Sequence, residues 1–179
     1  MAAVTRDNEL PRWLIAELRT DHAGETGAVE IYRGILAITR DEHLVAFARA
    51  HMQTELSHLE EISRLVPPAR RSILLPLWKL LGWLTGAIPA MLGRNATFTT
   101  IEAVETFVDR HYQAQVDRLR HEGSEPAIME LLDRLRRDEV EHRDDARNRR
   151  TSTPTRSLKA WTGLVGAGSR VAVQLARIV

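Results

Sequence analysis

HMQTELSHLEEI, residues 51–62, holds the pattern that decides the fold. It belongs to a helical stripe that steps by three and four residues through Leu44, Ala48, His51, Glu55, His58 and Ile62. A stripe that faces a core should be apolar throughout, yet this one is broken by Glu55-x-x-His58. The same break recurs once, as Glu139-x-x-His142, in a stripe of Ile128, Leu132, Leu135, Glu139, His142 and Ala146. Two further stripes carry a mid-helix glutamate without the histidine. One runs Leu14, Leu18, Asp21, Glu25, Ala28, Tyr32, Ile35; the other runs Phe98, Ile101, Glu105, Val108, Tyr112, Val116, Leu119.

Helical periodicity fills most of the chain, and no long run alternates apolar with polar residues. The spacing predicts long helices over residues 11–39, 41–65, 95–121 and 126–150, and a last one over 157–178. Pro67 and Pro68 end the second, since paired prolines cannot continue a helix. Ser124 is expected to cap the fourth, which opens with Pro126.

Four helices that each bury a glutamate need compensation. An isolated ionised carboxylate costs several kcal/mol to bury even after relaxation. Two divalent cations balance four carboxylates, and two imidazoles complete the shell. Such ligands suit iron or manganese better than copper or structural zinc. One Glu from each of two helices and Glu-x-x-His from each of two others is the arrangement of ferritin-like di-metal bundles. With 15 Glu and seven His, roughly 0.6 chance Glu-x-x-His matches are expected, so the motif alone is weak. Its arrangement is stronger: Glu25 precedes Glu55 by 30 residues and Glu105 precedes Glu139 by 34, as in two successive helical hairpins. The expected ligands are Glu25, Glu55, His58, Glu105, Glu139 and His142.

Composition agrees with one domain over residues 1–179. Apolar residues make up 44% and charged residues 27%, and the net charge of +1 gives no reason to invoke nucleic acid. Cysteine is absent, which excludes thiolate ligation and iron–sulfur clusters. The N-terminal MAAVTRDNELPRW has early acidic residues and no apolar run, so neither a signal nor a transit peptide is expected.

Several neighbours of the stripes need weighing. Glu102, one turn before Glu105, is the rival ligand. Asp138 could orient a ligand histidine or be an ordinary surface carboxylate. Tyr112 is a core aromatic or a redox group in equal measure. His22 and His51 are flanking or supporting groups rather than ligands. Gly24 and Gly27 leave room near Glu25 or permit close helix packing. Glu30, Glu60, Glu61 and Glu141 fall off the stripes onto solvated surface. The arginines between Arg134 and Arg150 read as a solvated face.

SILLPLWKLLGWLTGAIPAMLG, residues 72–93, is long enough to suggest a membrane span. A single crossing there would put the two halves of the metal site on opposite sides of a bilayer, and Pro76, Lys79 and Pro89 interrupt it. A segment dipping into one leaflet, with Trp78 and Trp83 near the interface, is expected instead. The C-terminal amphipathic helix, within residues 155–179 and carrying Trp161, lies alongside or forms a dimer contact. The alternative for both segments is packing on the bundle or in a dimer.

Asp21-His22-Ala23-Gly24-Glu25, Gly27-Ala28 and Ile31-Tyr32 resemble the opening motif of the demethoxyubiquinone hydroxylase family. Pro76-Leu77-Trp78, Leu92-Gly93, Ala103-Val104-Glu105, His111-Tyr112, Asp138-Glu139-x-Glu141-His142 and Ser169-Arg170-Val171-Ala172 are similar as well. Thr26, where many relatives carry an aromatic residue, and Ile35, where many carry Gln, depart from it. The resemblance implies an all-α ferritin-like bundle and six iron ligands at the positions named above. His111, Tyr112 and Asp138 are the supporting candidates around them. It also implies hydroxylation of a polyprenyl benzoquinone ring late in ubiquinone synthesis, with two iron ions, dioxygen (O2) as co-substrate and electrons from NADH or a quinol. It places such a protein peripherally on the cytoplasmic side of a bacterial inner membrane, alone, as a homo-oligomer or in a biosynthetic complex. The rival readings are a ferroxidase or peroxidase on the same bundle and a non-catalytic lipid-binding scaffold.

Overall fold

The computed structural model describes residues 10–179; residues 1–9, which hold most of the N-terminal segment, lie outside the described residues. Six α-helices follow one another: α1 Arg12–Ile38, α2 Glu42–Leu65, α3 Leu75–Met91, α4 Arg94–Glu122, α5 Pro126–Arg149 and α6 Arg156–Ala176. A 3-10 turn, Pro68–Arg70, links α2 to α3, and no strand occurs among the described residues.

Local chemistry sets most of the ends. Asp41 caps α2 by accepting from the backbone N–H groups of His43 and Leu44 at 2.9 and 3.2 Å. The same carboxylate accepts from Arg94 at the start of α4, which ties the first hairpin to the second. Gly123 closes α4 in the left-handed conformation, φ 61°. Ser124 does not cap α5. Glu125 occupies that place at φ 48° without a side-chain cap, and the Ser124 hydroxyl is buried without a partner. Thr155 caps α6 by accepting from Leu158 N–H.

α1 with α2 and α4 with α5 form two hairpins that make the four-helix bundle. Its core is in two parts. Tyr32, Ile35, Phe47, Phe98 and Ile101 anchor one, and Leu14, Leu18, Tyr112, Val116 and Leu132 the other. The polar residues of the four stripes lie between them. Ile35, one of the departures from the family pattern, is wholly buried in the first cluster.

α3 packs along α1, and α6 along α4 with a smaller contact on α1. Glycine makes the first contact a backbone-on-backbone one. A Cβ at Gly82 would lie 2.4 Å from the Gly27 carbonyl oxygen, and one at Gly86 only 1.9 Å from that of Ile31. Gly27 therefore serves helix packing, whereas the position of Gly24 opens onto free space. Among the described residues no helix is long and apolar enough to cross a membrane.

Candidate metal centre

Glu25 sits mid-way along α1 and Glu105 mid-way along α4, while α2 supplies Glu55 and His58 and α5 supplies Glu139 and His142. All six residues are buried, none more than 4% exposed. Their ligand atoms form two overlapping groups, each within 4.8 Å: Glu25, Glu55, His58, Glu139 and Glu55, Glu105, Glu139, His142. Glu55 and Glu139 belong to both, as the Glu-x-x-His helices place them between the two positions.

The imidazoles point one nitrogen inward. His58 Nδ1 lies 3.1 Å from Glu139, 3.7 Å from Glu25 and 3.8 Å from Glu55. His142 Nδ1 lies 2.9 Å from Glu55 and 3.5 Å from Glu139, out of line for a hydrogen bond. Both oxygens of Glu55, one of Glu25 and His142 Nδ1 are buried without a hydrogen-bond partner. Native interiors rarely leave so many buried polar atoms unpaired in one place. Two divalent cations fit this donor set, since they would occupy the orphaned atoms and neutralise the four carboxylates.

Protonation tells the same story without metal. Burial, reinforced by the charge of Glu139, pushes the Glu25 carboxyl up to about 7. Glu55 and Glu105 are pushed well above the usual range, again by burial first and then by neighbouring carboxylates. Glu139 goes the other way, to about 2: burial acts to raise it, but the His142 and His58 imidazoles outweigh burial. His58 rises to about 10, with burial opposing and the surrounding carboxylates prevailing. The buried carboxylates thus favour positive charge among them, here as protons.

A second layer holds the first. Tyr112 on α4 donates to Glu25 on α1, and Tyr32 on α1 donates to Glu105 on α4 at 3.2 Å. Asp138 lies 3.0 Å from His58 Nε2. His51 pairs with Asp145 at 2.9 Å and sets its ring edge-on to His142, 4.2 Å between centroids. Tyr32 was not among the candidates taken from sequence. The signal was present: tyrosine stands seven residues after the glutamate in both α1 and α4, two helical turns along the same face.

The other candidates lie elsewhere. Glu102 turns outward to Arg147 at 2.8 Å and Arg150 at 3.0 Å. His111 joins a separate network with Asp21, Thr20 and Gln115. His22 is buried outside the cluster, its pKa lowered to about 4 by burial and by Arg71 and Lys79. Of the arginines read as a solvated face, Arg136 and Arg143 reach Asp109 on α4, and Arg134 reaches Glu61 on α2. They tie α5 to its neighbours rather than merely facing water.

An all-helical bundle with buried Glu, Glu, Glu-x-x-His and Glu-x-x-His has the architecture of the ferritin-like carboxylate bundles, with a cluster that could hold metal. More narrowly, the chain belongs to the ubiquinone biosynthesis protein COQ7 family, whose model matches residues 12–176. It is 37% identical over 160 residues to the 3-demethoxyubiquinol 3-hydroxylase of Rhodospirillum rubrum, covering 87% of this chain and 74% of that one. It is 30% identical over 162 residues to the human mitochondrial NADPH-dependent 3-demethoxyubiquinone 3-hydroxylase, covering 88% of this chain and 74% of that one. The Dictyostelium discoideum enzyme of the same name is 33% identical over 138 residues, 75% of this chain and 64% of that one.

Proposed function

We propose that this protein hydroxylates the ring of a demethoxyubiquinone-type polyprenyl quinol in ubiquinone biosynthesis, at a di-iron site held by Glu25, Glu55, His58, Glu105, Glu139 and His142. The carrying observation is the buried six-residue cluster with its orphaned carboxylate oxygens, in a chain whose relatives are named for this hydroxylation. The two irons, when bound, supply the reduction of dioxygen and the transfer of one oxygen atom to the ring, the second oxygen leaving as water.

The protein supplies geometry and dryness. Tyr112 and Tyr32 each fix one oxygen of Glu25 and Glu105, which leaves the other oxygen of each free to face a metal. Asp138 keeps a proton on His58 Nε2, so that Nδ1 presents its lone pair to the cluster. The apolar clusters above and below the site keep bulk water from it. Electrons come from a reduced nicotinamide, directly or through a quinol, in keeping with the NADPH-dependent names of the mitochondrial relatives.

Substrate delivery accounts for the two outer helices. α3 exposes Leu77, Leu81 and Ile88 along one stripe, with Ile73 just before the helix, and α6 exposes Leu164, Val171 and Leu175 along another, with Ile178 just beyond it. Both helices pack on α1 and α4, which bear Glu25 and Glu105. Peripheral attachment through these stripes, at the cytoplasmic face of a bacterial inner membrane, would bring a prenylated ring to that side of the bundle.

The test is anaerobic loading with ferrous iron, followed by a short-chain demethoxyubiquinol and 18O-labelled dioxygen. One labelled oxygen in the product ring is expected by mass spectrometry. Product without label, or no product from protein that holds two irons, overturns the proposal.

A further inference from the structure

The two hairpins repeat one another around the cluster. Glu25 and Tyr32 correspond to Glu105 and Tyr112, and Glu55 and His58 to Glu139 and His142. The outer sides of the two imidazoles break this repeat. His58 Nε2 lies 3.0 Å from the carboxylate of Asp138, the residue before Glu139. The corresponding residue before Glu55 is Thr54, which has no charge. Among the described residues the ion pairs of His142 all run through Nδ1, and its ring rests against the edge of His51.

A carboxylate behind a ligand imidazole does two things. It fixes the tautomer, so that the inner nitrogen carries the lone pair, and it raises the basicity of that nitrogen toward a metal. His58 has such a partner. His142 has no carboxylate paired behind its ring: it packs on His51, and Asp138 acts on it only as a nearby charge without an ion pair.

We infer that Asp138, acting through His58, makes the two metal positions unequal. The position framed by Glu25, Glu55, His58 and Glu139 binds a divalent cation more tightly than the position framed by Glu55, Glu105, Glu139 and His142. The inference rests on the two-metal reading above and adds an order of filling to it.

The metal-free full chain is titrated with manganese(II), and free manganese is followed by electron paramagnetic resonance. Wild-type protein takes up two ions per chain in two separated steps. Asp138→Asn weakens the tighter step by roughly 10- to 100-fold, as loss of a supporting partner does elsewhere, and leaves the weaker step in place. Asp138→Glu, which keeps a carboxylate behind His58, restores part of the separation. Two equal steps in wild type overturn the inference, as does an asparagine variant that weakens both steps alike or neither. A glutamate variant that loses as much as asparagine overturns it too. No bound manganese in wild type overturns the two-metal reading itself, and the order of filling with it. Asp138 is about one-third exposed, and the melting of the metal-free variants separates a folding defect from a lost partner.

Discussion

Tyr32 on α1 donates its hydroxyl to Glu105 on α4 across 3.2 Å of buried interior. Tyr112 returns the contact to Glu25, so that each single-glutamate helix holds the carboxylate of the other. Both tyrosines are essentially inaccessible, at 0% and 1% exposure. Removing either hydroxyl leaves a buried carboxylate oxygen without its donor, at a cost of about 1–3 kcal/mol. Tyr32→Phe and Tyr112→Phe are each expected to lower stability by that amount in urea unfolding, while iron stoichiometry stays at that of wild type. A loss of iron with unchanged stability would show that the tyrosines act on the metals rather than on the carboxylates.

Metal removal should make stability depend on pH in a definite direction. Glu25, Glu55 and Glu105 have folded-state values above their unfolded ones, so the folded chain binds more protons than the unfolded chain. That contribution is present at acid pH and fades as pH rises from the ordinary carboxylate range through about 7, the Glu25 value. His58, raised to about 10, adds stability below its unfolded value that is lost as pH climbs through that point. Glu139, lowered to about 2, acts oppositely but only toward strong acid. Metal-free protein should therefore melt at a lower temperature at pH 9 than at pH 6, and ferrous or manganous ion should raise melting most at the alkaline end. A metal-induced shift that is the same at both pH values would show that the carboxylates do not exchange protons for metal.

Glu102 and Glu105 can be told apart by removal. Glu105→Ala should lower the bound metal below two ions per chain. Glu102→Ala should leave the stoichiometry intact and cost about 1 kcal/mol of stability, because Arg147 stays half-exposed while the less exposed Arg150 loses its carboxylate partner. Metal analysis of the two purified variants decides it. The reverse pattern would move the ligand from Glu105 to Glu102.

What could be read in advance follows from what each feature depends on. The glutamates and histidines of the cluster stand out because helical period and charge conflict at those positions, and both are local properties of the sequence. Tyr32 escaped because tyrosine is at home in an apolar stripe; only its repetition seven residues after Glu25, as Tyr112 after Glu105, marks it. Ser124 has the chemistry of a cap for α5, but the chain turns one residue later, at Glu125, which sequence chemistry does not mark. The arginines of α5 read as a solvated face in sequence because their partners, Asp109 and Glu61, come from other helices. The seat of α3 depends on a tertiary approach between Gly82, Gly86 and the α1 backbone, which periodicity within α3 does not encode.

That seat gives a paired prediction. Gly86→Ala forces a Cβ to within 1.9 Å of the Ile31 carbonyl oxygen, where backbone and not a flexible side chain must yield. Overpacking of this kind costs about 1–3 kcal/mol. Gly24→Ala adds a Cβ to open space in the middle of α1, and the gain in helix propensity is about 1 kcal/mol. Thermal melting should thus move in opposite directions for the two substitutions. A Gly86→Ala protein as stable as wild type would mean that α3 can stand off from α1 freely.

The outer stripes predict how the protein meets a bilayer. Leu77, Leu81 and Leu175 are 42%, 44% and 40% exposed, so a charge at any of them meets water in the free protein and costs the fold little. In a leaflet the same charge is expensive, and it also removes buried apolar area at about 25 cal/mol per Å2. Leu77→Glu, Leu81→Glu and Leu175→Glu should each weaken co-sedimentation with lipid vesicles, and the combination of one change on α3 with one on α6 should weaken it most. Turnover of a water-soluble short-chain quinol should persist in these variants, while that of a long-chain substrate presented in vesicles falls. Equal loss with both substrates would place the effect at the metal centre and remove the stripes from substrate delivery. Unchanged sedimentation would assign them instead to contacts between copies of the chain.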